Sequence, residues 1–272
     1  MDKLTHHESL GDLHQLQLTT EPEALWQIPE FRLHSRLPEF FFELERHTAG
    51  SIAIEDEKIV LAFLSNKNLH GQDWKKYLPQ KMAADIVKTL TKIKKQWGDL
   101  GLLAEITICL KQPTNPVNQE PANGMSPTAF IEGKEANTSE EIPSGTIFLF
   151  PHSLEPKTGL GPYRGAVPEV KHLSGVITHE WAHQFMASEN SPLCAEWIKN
   201  IPGWKKIKDN WVYTKPDSLP TPYSATNPVD DFVESLTLFI LAPKILQTNH
   251  PERFKFCQDF AKKITDEKKK VK

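Results

Sequence analysis

The sequence predicts an α+β fold in which a small, mostly antiparallel or mixed sheet packs against two helices that carry polar residues. Three observations support this prediction. Strand-like aliphatic runs flank an acidic turn near residue 55, further strand-like runs follow an amphipathic helical stretch, and two helical segments with His, Asp and Glu come later in the chain. An order of helix, strands and then helices is typical of the α+β class.

The composition is that of an ordinary soluble protein. The 272 residues are enough for one large domain or two small ones, and they can bury a sizeable core without disulfide staples. Hydrophobic residues make up 39% of the chain and charged residues 25%. A net charge of -3 and an isoelectric point near 6.4 argue against binding to nucleic acid or to anionic membranes through bulk charge. We therefore expect neither as a partner, and we expect a monomer.

Cysteine usage and the first residues bear on the cellular compartment. Cys109, Cys194 and Cys257 are odd in number and far apart, so we expect reduced, buried thiols rather than a disulfide framework or a Cys-x-x-Cys metal site. The N-terminal residues contain no apolar segment that would indicate a cleavable secretory signal. We expect a cytoplasmic protein, or one secreted without a classical signal peptide, including secretion into a host cell.

The N-terminal part of the chain predicts a leader followed by a region of helices and a hairpin. Residues 1–20 are polar and predict a flexible leader. The stretch Pro22–His47 is dense in apolar residues but interrupted by prolines, which favours two short helices or a helix and a turn. Ser51–Ile54 and Lys58–Leu64 then predict a β-hairpin around the acidic turn. We expect residues 21–75 to pack on the domain that follows.

The main domain is predicted over residues 76–265. Leu78–Trp97 has apolar residues at helical spacing and is followed by a glycine that ends the helix. Leu102–Leu110 and Gly145–Phe150 have strand composition and should pair within a sheet. Residues 266–272 are lysine-rich and predict a solvated basic tail.

Two connections within this domain are expected to be irregular. Residues 111–145 contain many prolines and polar residues, which predicts a long surface loop with one further short strand at Ala129–Ile131. Pro156–Pro168 is rich in glycine and predicts a flexible connection into the next helix.

That next helix, predicted over residues 170–188, carries the sequence His179-Glu180-Trp181-Ala182-His183. Residues four apart lie above one another on one helix face, so both imidazoles can reach a single metal ion while Glu180 lies beside them. Zn²⁺ accepts imidazole nitrogen, and with three protein ligands it keeps a fourth position open for water. Glu180 can then accept the proton of that water. The pattern predicts a metal-hydrolase site that needs one more protein ligand.

A second helix is predicted to begin at Asn227-Pro228. Asn is a favoured N-cap residue, and Pro is favoured at the first helical position. The helix has an apolar stripe formed by Val229, Phe232, Val233, Leu236, Phe239 and Ile240. Asp230 and Glu234 are four residues apart and share a different face.

Three carboxylates of this helix are candidates for the third ligand. Asp230 and Asp231 can also be explained by the favourable interaction of acidic residues with a helix N-terminus. Glu234 lies beyond the first turn among apolar neighbours, where a carboxylate needs a partner. The free ring N–H of a metal-ligating histidine is one such partner.

The C-terminal part of the chain resembles the zinc metallopeptidases of the gluzincin type. Within them it is most similar to bacterial peptidases related to the catalytic domain of anthrax lethal factor and to the clostridial Pro-Pro endopeptidases. The resemblance covers about residues 170–256 and depends on His179-Glu180-x-x-His183, Trp197, Ile201–Trp204, Tyr223–Ser235 and Pro251–Phe254.

The resemblance implies a zincin-like fold over residues 76–265 and a role for each site residue. It assigns the third zinc ligand to Asp230, stabilisation of the substrate oxyanion to Tyr223, and support of a metal ligand to Glu234. The family normally has Glu where Asp230 stands, and Asp is one methylene shorter. Asp231 or Glu234 could therefore supply the oxygen instead.

The function that we expect is a zinc-dependent endopeptidase, binding one Zn²⁺, with His179, His183 and Asp230 as ligands and Glu180 as general base. Its partner would be a protein or peptide substrate, and the enzyme could be a bacterial effector or toxin. By analogy with zincins, an extended substrate would lie along a sheet edge, for which Thr146–Phe150 is the candidate strand. Two alternatives stay open: a zinc-dependent hydrolase of a non-peptide bond, and a non-catalytic zincin-like binding module.

Overall fold

A six-stranded mixed sheet forms one layer of the computed structural model, which describes residues 16–18, 45–65, 76–111, 124–125, 145–154, 167, 170–186, 189–208, 210–215 and 218–271. The strands are β1 (Leu16–Leu18), β2 (Glu45–Ile54), β3 (Glu57–Ser65), β4 (Glu105–Cys109), β5 (Gly124–Met125) and β6 (Thr146–Leu149). Their order is β1-β2-β3-β4-β6-β5. β3, β4 and β6 run parallel, whereas β1, β2 and β5 are antiparallel to their neighbours. The predicted α+β class and the mixed sheet are confirmed.

The hairpin predicted around the acidic turn is formed by β2 and β3. β2 begins at Glu45, so the prediction of helix or turn up to His47 is wrong for its last residues, while residues 22–44 lie outside the described part of the chain. Pairing explains the difference, because Glu45 lies opposite Ser65 and the two strands are matched along their length. β3 also pairs with β4, so the hairpin and the later strands belong to one sheet.

Seven helices and a small hairpin accompany the sheet in the described residues. The helices are α1 (Gln80–Trp97), α2 (Pro151–Leu154), α3 (His172–Ala182), α4 (Pro192–Asn200), α5 (Pro228–Leu241), α6 (Pro243–Asn249) and α7 (Pro251–Val271). The hairpin consists of β7 (Trp204–Ile207) and β8 (Asn210–Tyr213), and a 3-10 turn spans Tyr223–Ala225. α1 ends where predicted, at Gly98, which has a φ of 97° and donates its N–H to the Lys94 carbonyl.

α3 and α5 form the centre of the helical layer. α3 packs against α1, α5 and the strands β5 and β6. Every residue of α5 from Pro228 to Ile240 is buried, so the helix is surrounded on all sides. Burial of a large apolar side chain such as Phe232 contributes about 1.5–3 kcal/mol, and this packing carries the acidic residues of α5 into the interior. A buried carboxylate requires partners, and those partners define the site described below.

The sheet edge near the helices differs from the expected one. The sequence makes Thr146–Phe150 the candidate edge strand, but β6 lies between β4 and β5, and β5 is the last strand of the described sheet on this side. The prediction is wrong because β5 pairs with the outer side of β6. A strand of two residues shows no hydrophobic alternation from which the sequence could have predicted it. The predicted strand at Ala129–Ile131 lies outside the described residues, as does the Pro156–Pro168 connection except for Val167.

The structure also describes the three cysteines, the lysine-rich C-terminal residues and the longer helices. Cys109, Cys194 and Cys257 are buried thiols, as expected. The lysine-rich end continues α7 as a helix to Val271, and Lys268 contacts Asp99. Among the helices that the structure describes, none is both long and apolar enough to cross a bilayer.

Candidate metal centre

His179 of α3 and His183, the residue that follows α3, face each other across one helical turn. Their Nε2 atoms are 3.2 Å apart, and the rings meet edge to face with centroids 4.9 Å apart. His179 is 6% exposed and His183 is 7% exposed. His183 closes the last turn of the helix, donating its backbone N–H to the His179 carbonyl at 3.3 Å. The spacing predicted from the sequence therefore brings both imidazoles to one buried point.

The first turn of α5 brings Asp230 to the same point. The Asn227 side chain accepts the Asp230 backbone N–H at 2.9 Å and donates its own N–H to Oδ2 of Asp230, also at 2.9 Å. Oδ1 of Asp230 lies 3.9 Å from Nε2 of His183. The predicted N-cap thus holds one carboxylate oxygen while the other faces the imidazoles.

His179, His183 and Asp230 together form a buried group that can hold a metal ion. One ligand atom from each lies within 4.8 Å of the others. Two imidazole nitrogens and one carboxylate oxygen form a ligand set of the kind found in catalytic zinc sites, where Zn–N distances are about 2.0–2.1 Å. The two Nε2 atoms are close to the separation that tetrahedral ligands of one ion require.

Glu234 binds the opposite side of His179. Oε1 of Glu234 is 2.7 Å from Nδ1 of His179, and the carboxylate is 0% exposed. A hydrogen bond from Nδ1–H to this oxygen leaves the lone pair of Nε2 directed at the metal position. Oε2 of Glu234 accepts the Thr221 hydroxyl at 2.6 Å. Glu234 therefore has two hydrogen-bond partners and fixes the orientation of the His179 ring.

Asp231 binds a different set of residues. It accepts hydrogen bonds from Arg253, Trp197 and Trp204. Of the three carboxylates that the sequence left open, Asp230 is the one grouped with both imidazoles in the described residues. The packing of α5 against α3 brings the Asp230 carboxylate to the two imidazoles.

The electrostatics of the site favour a proton on His179 rather than on His183. Burial opposes protonation of His179, but its hydrogen bond to Glu234 and the charges of Glu234, Glu180 and Asp230 raise its pKa to about 9. Burial and the neighbouring His179 hold the pKa of His183 well below its ordinary value. Burial raises the pKa of Asp230 to about 6. A metal ion that binds here must displace a proton.

Tyr223 lies beside His179. Its ring centroid is 5.5 Å from that of His179, and the residue is 37% exposed. The Asp230 carboxylate, burial of the hydroxyl and the charges of Glu180 and Glu234 raise the pKa of the phenol above its ordinary value. The hydroxyl therefore keeps its proton and can act as a hydrogen-bond donor.

Glu180 lies beneath the edge strand β5. A Cβ atom added to Gly124 would be 3.1 Å from Cγ and 3.2 Å from Oε1 of Glu180, and 2.6 Å from a methyl carbon of Val176. Gly124 thus lets the strand approach the carboxylate more closely than any other residue would. Three residues near the site, Gly124, Thr221 and Arg253, were not predicted from the sequence. Arg253 belongs to the segment Pro251–Phe254 that the family resemblance includes. No sequence pattern indicates a role for Gly124 or Thr221.

The sequence matches no protein-family model, no curated protein and no solved structure.

Proposed function

We propose that this chain is a zinc-dependent endopeptidase in which Glu180 is the general base. One observation carries the proposal: His179, His183 and Asp230 converge at a buried point, and Glu234 sets the ring nitrogen of His179 toward that point. A site that only stabilised the fold would not need a carboxylate base and a protonated phenol next to the ligands.

Zinc is the metal that suits these ligands best. Imidazole nitrogen favours zinc and other late first-row metals, whereas calcium and magnesium prefer sites made of oxygen atoms. Three protein ligands leave room for a water molecule. When bound, Zn²⁺ lowers the pKa of a water molecule to about 7 and polarises a carbonyl group.

Glu180 moves the protons of the reaction. Its carboxylate accepts a proton from the water molecule whose oxygen adds to the carbonyl carbon of the peptide bond. When the carbon–nitrogen bond breaks, the electron pair goes to nitrogen, and the proton passes from Glu180 to the leaving amine. Glu180 is 9% exposed, so its charge is little screened by solvent.

Tyr223 stabilises the negative charge that develops on the carbonyl oxygen. A phenol is protonated at neutral pH, and the neighbouring carboxylates and burial raise the pKa of Tyr223 further, so it can donate a hydrogen bond to an oxyanion. Its contact with the His179 ring keeps it next to the ligands.

The edge strand β5 favours a peptide over other hydrolysable substrates. Gly124 and Met125 pair with β6 on one side, and β5 is the last strand of the described sheet on the other. An extended peptide can add to such an edge through main-chain hydrogen bonds. Because Gly124 lies against Glu180, a peptide bound there would pass the general base. A non-peptide substrate would make no use of this edge.

Two competing functions would be distinguished from a peptidase by the experiment described below. They are hydrolysis of a non-peptide bond and metal-dependent binding without catalysis. We also propose a protein substrate, which suits both a peptidase of the producing cell and an effector that acts in a host cell.

The test uses the zinc-loaded protein and a proteome-derived peptide library, with cleavage sites identified by mass spectrometry. We expect discrete cleavage that 1,10-phenanthroline abolishes, and Glu180→Gln should keep one zinc per chain while cleavage falls about 10²–10⁴-fold. Glu196→Gln, an exposed carboxylate on α4, is the matched control and should cleave normally. Absence of chelator-sensitive cleavage by a fully zinc-loaded protein would refute the peptidase proposal.

A further inference from the structure

A buried ion pair lies next to the metal ligands and is not part of them. Arg253 on α7 and Asp231 on α5 are both 0% exposed. The guanidinium binds the carboxylate with two parallel hydrogen bonds of 3.0 Å, from Nε to Oδ1 and from a terminal nitrogen to Oδ2. The desolvation of such a pair costs about as much as its attraction returns, so stability alone is a weak reason for its presence.

The Asp231 carboxylate is also bound by two indoles. Trp197 of α4 donates to Oδ2 at 3.3 Å, and Trp204 of β7 donates to the same oxygen at 2.9 Å. Three elements therefore converge on a side chain whose neighbour in sequence is Asp230. Successive residues on a helix are about 100° apart, so any rotation of the first turn that moves Asp231 also moves Asp230. The hydrogen bonds to Asp231 resist that rotation.

Arg253 also binds the segment that leads to Tyr223. It donates to the Ser218 carbonyl at 3.1 Å and to the Tyr213 hydroxyl at 3.1 Å. Ser218 precedes Thr221, which binds Glu234, and Tyr223, which contacts His179. The Arg253 guanidinium thus connects α5, which carries Asp230, with the segment that carries Thr221 and Tyr223.

We propose that Arg253 is a positioning residue that, through Asp231 and the Ser218 carbonyl, sets Asp230 against the two imidazoles and Tyr223 against His179. Arg is suited to this role because its planar fork binds a carboxylate and two further acceptors in fixed directions, which the single ammonium of Lys cannot do. The metal-binding part of this inference stands on the ligand geometry, and only its effect on turnover rests on the proposed peptidase function.

The central test compares the wild type with the double variant Arg253→Met, Asp231→Leu. Replacing both charges with apolar groups removes the ion pair without leaving an unpaired charge. The indole N–H groups of Trp197 and Trp204 lose their shared acceptor, so the double variant should fold with a Tm below that of the wild type. We expect its Zn²⁺ Kd, measured by competition with a chromophoric chelator, to rise about 10–100-fold. The visible absorption bands of the Co²⁺-loaded protein should shift, because they report the geometry of the ligands.

Further variants keep the inference testable if the double variant does not fold. Arg253→Lys retains the charge but not the fork, and should keep most of the Tm while showing an altered Co²⁺ spectrum. Trp204→Phe removes one N–H donor to Asp231, and its Zn²⁺ Kd should rise about threefold, as expected for a lost hydrogen bond. Lys94→Met is the matched control: Lys94 is an almost buried cation whose Nζ lies 3.0 Å from Glu57 of the hairpin, so its loss should lower Tm without changing the Co²⁺ spectrum.

The two proposals fail in different ways. If folded Arg253 variants bind Zn²⁺ with the wild-type Kd and show the wild-type Co²⁺ spectrum, Arg253 is merely structural and the inference is wrong. If the metal results are as expected but the wild type cleaves no peptide, the positioning role stands and the peptidase proposal falls. In an active enzyme we expect kcat to fall with KM little changed, since the network touches no substrate.

Discussion

Oε1 of Glu234 lies 2.7 Å from Nδ1 of His179 and binds the side of the imidazole that faces away from Asp230 and His183. The carboxylate is buried and is itself held by the Thr221 hydroxyl. This pair determines which nitrogen of His179 is free for a metal. It also makes the orientation of the His179 ring depend on a residue of a different helix.

The first prediction concerns this pair. Glu234→Gln keeps a hydrogen-bond acceptor of the same size but removes its charge, so the Zn²⁺ Kd should rise about 10–100-fold. Competition with a chromophoric chelator measures the change. The exposed Glu196→Gln variant should bind as the wild type does, and an unchanged Kd for Glu234→Gln would show that this carboxylate does not support the ligand.

The second prediction separates the two neighbouring aspartates. Asp230→Asn should reduce the zinc content after dialysis to a small fraction, because the anionic ligand is lost. Asp231→Asn should still load one zinc per chain at saturating metal. It should lower the free energy of unfolding by about 3–5 kcal/mol, because the buried Arg253 charge loses its partner. Zinc stoichiometry by mass spectrometry and urea unfolding measure both quantities, and the reverse pattern would reassign the third ligand to Asp231.

The third prediction is a proton release that accompanies metal binding. The pKa of His179 is raised to about 9, so at pH 7.5 the metal-free site holds a proton that must leave when Nε2 becomes a ligand. The affinity should therefore fall as the pH falls, by about tenfold per pH unit between pH 8 and pH 6. Below pH 6 the fall should steepen, because the pKa of Asp230 is raised to about 6 and a second proton competes.

Calorimetry in two buffers of different ionisation enthalpy measures that proton. The difference in apparent binding enthalpy should correspond to about one proton per zinc at pH 7.5, after correction for the metal's own hydrolysis. In Glu234→Gln the charge that raises the pKa of His179 is removed, so the released fraction should decrease. A binding enthalpy independent of the buffer would mean that His179 is already neutral in the metal-free protein, against this prediction.

The fourth prediction concerns the edge strand. Gly124→Ala places a Cβ 2.6 Å from Cγ1 of Val176 and 3.1 Å from Cγ of Glu180, so the strand or these two side chains must shift. We expect normal zinc content with kcat lowered about tenfold or more, since a displaced general base loses its alignment. Peptide turnover and zinc content are measured on the same preparation.

Gly98→Ala is the control for general destabilisation. A Cβ at Gly98 meets no atom within 4 Å, but the φ of 97° strains any other residue, so Tm should fall while kcat is unchanged. If Gly124→Ala were as active as the wild type, β5 would not constrain Glu180.

Local patterns in the sequence were sufficient for several elements of the site. The four-residue spacing of His179 and His183 requires only that the segment be helical, because a helix repeats every 3.6 residues. The Asn227 cap depends on a hydrogen bond to a backbone N–H three residues away, so it can also be read locally. The hairpin of β2 and β3 follows from two apolar runs and a short polar turn.

The choice among the three carboxylates of α5 was beyond such patterns. Their spacing shows only that Asp230 and Glu234, four residues apart, share one face of the helix. The side that meets the histidines depends on how α5 packs against α3, which is a contact between segments about fifty residues apart in the chain. The edge strand is a similar case, because two residues, one of them glycine, carry no periodicity and acquire a strand conformation only by pairing with β6.

By itself the sequence determined that a helix presents two histidines and a glutamate, that a second helix begins at Asn227-Pro228, and that the fold is α+β, because each of these depends on neighbouring residues and hydrophobic periodicity. Only the tertiary structure decided that Asp230 joins the histidines, that Glu234 binds the far nitrogen of His179, and that Asp231 is held by Arg253. The physical reason is burial. α5 is surrounded on all sides, so each of its carboxylates takes whichever partner the packing brings to it, and such partners come from distant parts of the chain.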